Sequence, residues 1–211
     1  MAATKGKNIN PRVERKITRI SGVREVKQTF LIICEGVNTE PDYFNAFRLT
    51  SANVKAVGQG MGTLTLVQKA INIKEQEKRK GRIYNQNWVV FDKDDFPEND
   101  FNFAILLAQQ NGFEVAYSNQ AFEFCFLLHF NLYQGALHRS RYEKMLSTLL
   151  GFSYTKKSGV SSKMFNALFS KQEQAINHAK TIMKQFDGNN PAQQESSTTV
   201  YLLVEELNKF L

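Results

Sequence analysis

Two cysteines, four prolines and one tryptophan in 211 residues set the first limits on what this chain can be. Cys34 and Cys125 stand in apolar runs 91 positions apart. They lack the close spacing of a zinc knuckle or a disulfide framework, so both are expected to be buried small hydrophobes. No run of eighteen apolar residues occurs, and no apolar segment follows the amino-terminal charges as it would in a secretory signal. A cytoplasmic protein without a membrane span is the expectation. No internal repeat is present, which argues against a solenoid.

What is present is a composition able to build a core: 42% hydrophobic and 12% aromatic residues, with 22% charged. The length suits one domain with additions, or two small ones. The net charge of +7 is unevenly spread, because residues 1 to 30 carry eight Lys/Arg against Glu14 and Glu25 and the remainder contributes only +1. A basic arm over residues 1–28 can contact phosphates in a salt-sensitive way, or can simply be a solvated tail.

Apolar runs then alternate with helical periodicity. "TFLIIC" (Thr29 to Cys34) reads as a buried strand, and "TEPDYFNAFRL" as a helix capped by Thr39. "NVKAVG", "NWVVFD" and "FEVAYS" supply three further strands. Helices are expected from Leu64 to Arg79, after Asn99 or Asp100, and over "QAFEFCFLLHF". Strands separated by helices indicate a parallel sheet covered on both faces, an α/β core over residues 29–130. From 131 to 211 the alternation stops. Helices are expected at Ser140 to Leu150, Ser162 to Phe186 and Thr198 to Leu211, with "DGNNPAQQESS" as a flexible polar linker before the last.

The apolar strand "WVVFDKDD" ends on three carboxylates around one lysine, an arrangement that costs folding energy unless a cation or hydrogen bonds compensate. In a parallel sheet, function collects at the carboxyl ends of the strands. Glu35 follows the first strand and Asp92 and Asp94 end the third, so neighbouring strands would bring three carboxylates together. In an extended backbone Asp92 and Asp94 share one side, with Lys93 opposite. Carboxylates without His or Cys partners suit Mg2+ or Mn2+ rather than zinc.

Several other residues carry competing readings. Glu123 lies in an apolar helix, where it is either a supporting metal ligand or a carboxylate favoured by a helix N-terminus. His129, about 240° around an ideal helix from Glu123, is expected to be a hydrogen-bonded structural residue. Glu40 is an outside candidate at a helix start. Asp95 either takes the role of Asp94 or begins a turn. "GQGMGT" lacks the spacing of a nucleotide-binding loop and reads as a connection. "EKRKGR" is either a phosphate contact or a charged helix end.

"FLIICEGVNTEPDYF", "WVVFDKDD" and "SNQAFEFCFLLHF" together resemble the RloB-like family, which is related to an abortive-infection component and whose core is a Toprim domain. The resemblance implies a four-stranded parallel sheet in the order 2-1-3-4 between helices, with a helical C-terminal extension. It also equates Glu35 and the Asp92/Asp94 pair, with Asp92 57 residues after Glu35, with the Toprim glutamate and DxD, and places a glutamate in the block that holds Glu123. A Mg2+-dependent nuclease of bacterial phage defence is thereby expected, acting on DNA or RNA with a partner ATPase or restriction machinery. Asp92 and Asp94 would hold metal, and Glu35 would bind metal or act as general acid/base. A non-catalytic nucleic-acid-binding or regulatory subunit is the alternative, and phosphate chemistry on a small molecule a third reading. No tyrosine is marked as a topoisomerase nucleophile and no zinc module or primase accessory region is visible.

Overall fold

The computed structural model describes residues 28–49, 52–60 and 62–211. The basic arm therefore lies, but for Gln28, outside the described residues. The chain runs through strand β1 (Gln28–Cys34), helix α1 (Thr39–Asn45), β2 (Ala52–Gly58), α2 (Thr63–Arg79), β3 (Gln86–Asp92), α3 (Glu98–Gln110), β4 (Glu114–Asn119) and α4 (Glu123–Leu127). There follow α5 (Tyr142–Leu150), α6 (Ser162–Phe169), α7 (Gln172–Met183), β5 (Ser197–Thr198) and α8 (Val200–Asn208).

The sheet order is β2-β1-β3-β4-β5. The first four strands are parallel, in the order the resemblance implies, and β5 pairs antiparallel with β4. The sheet therefore has five strands rather than the expected four. The added strand falls at the end of the segment read as a flexible linker, in which Gln194, Ser196 and Ser197 are buried. Thr198 finds a partner, sharing a hydroxyl hydrogen bond with Ser118 at 3.0 Å, and the adjoining Thr199 Oγ1 accepts the Tyr117 amide at 2.9 Å, whereas Ser197 Oγ is buried without a partner.

Period-two alternation divides each central strand between two cores. Phe30, Ile32 and Cys34 of β1, with Trp88 and Val90 of β3, join α1 and the helices from α4 onward. Leu31 and Ile33, with Val89 and Phe91, pack against α2 and α3 through Leu66, Val67, Ala70, Phe101 and Ala104. Both cysteines are free and buried. The first cluster runs without interruption into Tyr142, Leu146, Leu168, Ile182, Leu203 and Leu207, so the C-terminal helices share the hydrophobic core of the sheet.

Element boundaries depart from the sequence in instructive ways. Asn38, not Thr39, occupies the N-cap position of α1. The Thr39 hydroxyl is committed elsewhere, donating to the Lys156 carbonyl at 3.3 Å. Helix α3 starts at Glu98 after Pro97, and Gly112 beyond it takes φ +69°. The apolar stretch around Phe124 forms only a five-residue helix. It continues as tight turns in which His129 N donates to the Phe126 carbonyl and Phe130 N to that of Leu127. The helix expected over 162–186 breaks at Ser170 and Lys171, and α7 then sets Ala175, Ala179 and Ile182 against the core.

Candidate metal centre at the carboxyl edge of the sheet

Strand β1 pairs with β3 from Phe30↔Gln86 to Cys34↔Val90, and Glu35 N donates to the Val90 carbonyl at 2.9 Å. This register delivers Glu35 beside the end of β3, where its Oε2 accepts the Asp92 amide at 3.1 Å. Two of the residues singled out from sequence are thus joined by a direct bond. A cavity of about 300 Å3 at this edge is lined by Glu35, Glu40, Asp92, Asp94 and Glu123, together with Lys156 and Lys157.

Each carboxylate is held differently. Asp92 is 5% exposed, and its Oδ1 is buried without a hydrogen-bond partner. Burial first, and then the charge of Glu40, raises its pKa well above the ordinary aspartate value. Glu35 is raised to about 7, chiefly by burial, with Asp94 and Glu40 adding repulsion against the lowering effect of the Asp92 amide. Glu40 is 6% exposed and also raised, mainly by burial. It accepts the Gly36 amide at 3.1 Å, and a Cβ at position 36 would collide with its carboxylate. The outside candidate of the sequence is therefore a lining residue.

Glu123, 1% exposed, opens α4. Its Oε1 accepts from the Tyr154 hydroxyl at 2.9 Å, and its Oε2 lies 3.2 Å from Lys156 Nζ in an ion pair that falls short of hydrogen-bond alignment. Burial depresses the Lys156 pKa, but attraction to Glu123 and Asp92 outweighs it, so the ammonium is held above its ordinary value.

Asp94 reaches the cavity by a route other than strand alternation. Strand β3 ends at Asp92, two residues before Asp94, which adopts φ +43°, so the period-two argument does not reach it. Aspartate tolerates this left-handed backbone better than most side chains. Arg139 pairs with both Asp94 and Asp95. Asp95 is a largely exposed turn residue outside the cavity. Lys93 does turn away, its Nζ donating to the Phe96 carbonyl at 2.6 Å.

Three cationic side chains near the acidic cluster escaped the sequence reading: Arg139, Lys156 and Lys157. They come from short 3-10 turns far along the chain, too brief for any periodicity to mark them. "YTKKSG" (Tyr154 to Gly159) gave one local sign, a lysine pair before a glycine. His129 is hydrogen-bonded through Nδ1, 2.9 Å from the Cys125 carbonyl, while its Nε2 is buried without a partner, and burial lowers its pKa to about 4. In "EKRKGR", Arg82 is engaged by Glu77 at 2.6 Å. Glu77 also meets Lys55 and Tyr84 at 3.1 Å, and its hydrogen bonds to Arg82 and Lys55 hold it far below the carboxylate range.

Among the described residues, no three His, Cys, Asp or Glu side chains form a ready-made cation cage. The donor chemistry nevertheless fits a hard divalent ion. Mg2+ keeps several waters and needs only one or two protein carboxylates, and the unpartnered Asp92 Oδ1 is an oxygen of that kind. Asp92 and Glu123, supported by Glu35 and Glu40, are the residues that would hold it.

Among known proteins, the family model described as RloB-like protein matches residues 30–207. No curated protein and no solved structure gives a match.

Proposed function

We propose, from the premise that this chain belongs to the RloB-like family, that it is a Toprim-like, Mg2+-dependent nuclease hydrolysing phosphodiesters of DNA or RNA. The observation that carries the reading is the buried, unpartnered Asp92 Oδ1 in a cavity shared with four other carboxylates at the carboxyl edge of the sheet. A buried anion without a partner is costly, and sites of perturbed ionisation concentrate where chemistry is done. When bound, Mg2+ or Mn2+ would polarise the scissile phosphate and offset the charge developing on it.

The chain's own residues supply the remaining parts. Asp92 and Glu123 would hold the ion, with Asp94, which Arg139 engages, at the edge of the same cavity. Glu35, with a pKa near 7, is suited to exchange a proton with water or the leaving oxygen at neutral pH. The Asp92 amide fixes the Glu35 carboxylate against the end of β3. The role in bacterial phage defence, and a partner ATPase or restriction machinery, follow from the family resemblance.

The second reading, a nucleic-acid-binding or regulatory subunit without activity of its own, is favoured by one observation: Arg139 already neutralises Asp94. Incubating the full chain with end-labelled DNA and RNA, in Mg2+, Mn2+ or EDTA, separates the two. The nuclease reading expects metal-dependent cleavage that Asp92→Ala abolishes. Binding indifferent to metal and to that substitution, with no cleavage, supports the subunit reading instead.

A further inference from the structure

Lys156 brings a positive charge into the acidic cavity from a segment built to hold it there. Its amide donates to Glu143 Oε1 at 2.9 Å, and its carbonyl accepts from Thr39 Oγ1. Just beyond, Gly159 takes φ +64° and sits so close to Asp42 that a Cβ there would collide with the Asp42 carboxylate. The backbone is thus pinned to the start of α1, at the rim of the cavity. The side chain is freer: it is half-exposed, and only its ammonium meets the buried Glu123. A four-carbon stem allows that ammonium to swing while the backbone stays docked.

The acidic lining requires a counter-charge when its members ionise. Arg139 answers for Asp94 from outside, whereas Lys156 answers for Glu123 from within the cavity that Asp92, with its unpartnered Oδ1, also lines. An ammonium in that position and a divalent ion held by Glu123 and Asp92 would repel one another at close range. The same oxygen, Glu123 Oε2, would have to serve both. The Tyr154 hydroxyl bond to Glu123 Oε1 fixes the carboxylate, so the mobile partner is the lysine.

We infer that Lys156 is an internal counter-cation, exchanged for the divalent ion: its ammonium holds Glu123 in the metal-free protein and is displaced when the ion binds. This rests on the metal reading above and deepens it. No covalent change is involved, and the backbone anchors let the exchange take place without unfolding the 154–160 segment.

The test is calorimetric titration of Mn2+ into the full chain as wild type, Lys156→Gln and Lys156→Arg. Removing the competing charge is expected to tighten Mn2+ binding by about tenfold, on the scale of one partly exposed ion pair. Lys156→Arg should bind as wild type does. Uptake by Lys156→Gln alone also supports the exchange, since the lysine would then be winning outright. Binding by wild type with Lys156→Gln equal or weaker overturns the inference and leaves the metal reading standing. No uptake by either protein overturns both. A second readout needs no variant: acylation of Lys156 by acetic anhydride, followed by mass spectrometry, should accelerate when Mn2+ is added to wild type. An unchanged rate in the presence of bound Mn2+ contradicts displacement.

Discussion

Glu35 ties the candidate site to solution pH more directly than any other residue. Its folded pKa of about 7 exceeds the ordinary value of 4.5 because burial penalises the charged form. Between those values the folded chain keeps a proton that the unfolded chain has released, so this group makes stability fall as pH rises from about 4.5 to 7. Glu35→Gln removes that penalty while retaining an acceptor for the Asp92 amide. Urea unfolding is expected to show the variant matching wild type near pH 4.5 and gaining on it through pH 7, by about 3 kcal/mol at most. A stability difference independent of pH would contradict the buried-carboxylate account. Glu35 and Asp92 were legible in the sequence because each follows an apolar run whose strand identity is clear. Asp94 was legible as a residue but not in its geometry, since a left-handed backbone carries no sequence period. Lys156 was illegible because the carboxylate that gives it meaning, Glu123, lies 33 positions away.

At the scale of elements, the turn carrying Lys156 makes a testable contrast between two glycines that share a positive φ but differ in ψ, +17° at Gly151 and −158° at Gly159. Gly151 ends α5 at φ +72° with open space where a Cβ would stand, whereas Gly159 combines φ +64° with the approach to Asp42. Gly151→Ala is expected to cost about 1 kcal/mol, the ordinary price of a left-handed alanine. Gly159→Ala should cost more, because its backbone lies in a region open mainly to glycine and the collision with Asp42 adds to that strain, and it should also lift Lys156 from the cavity. Thermal unfolding ranks the two, and equal losses would show that the docking on α1 is energetically idle. The same scale explains which elements the sequence revealed. Strands β1 to β4 and helices α2 and α3 were visible because long apolar patterns specify them locally. Strand β5 was not: two polar residues became a strand only through hydrogen bonds to Tyr117 and Ser118, 80 or so positions earlier. The break between α6 and α7 was hidden for a related reason, since both halves keep helical periodicity and tertiary packing sets the angle between them.

For the whole molecule, the shared hydrophobic cluster makes the C-terminal helices one covering of the sheet's core. Leu146, Leu168, Leu203 and Leu207 are fully buried, and they complete the face of the sheet formed by Phe30, Ile32 and Trp88. A chain ending at Phe130 is expected to lose cooperative thermal unfolding, as followed by circular dichroism; a sharp transition would show that the sheet folds alone. Charge acts at this scale too, because nearly all of the net +7 resides in the amino-terminal segment. Deleting residues 1–27 should flatten the dependence of nucleic-acid affinity on salt while leaving Mn2+ affinity unchanged. An unaltered slope would remove the arm from the binding surface.

The central claim, that acidic side chains at the end of β1, the end of β3 and the start of α4 meet to hold a divalent ion, is tested most directly by anomalous diffraction from crystals of the full chain soaked in Mn2+. A peak is expected in the cavity between Glu35, Asp92 and Glu123, with Asp92 Oδ1 among its ligands. Full Mn2+ occupancy elsewhere on the surface, with no peak in that cavity, would contradict it.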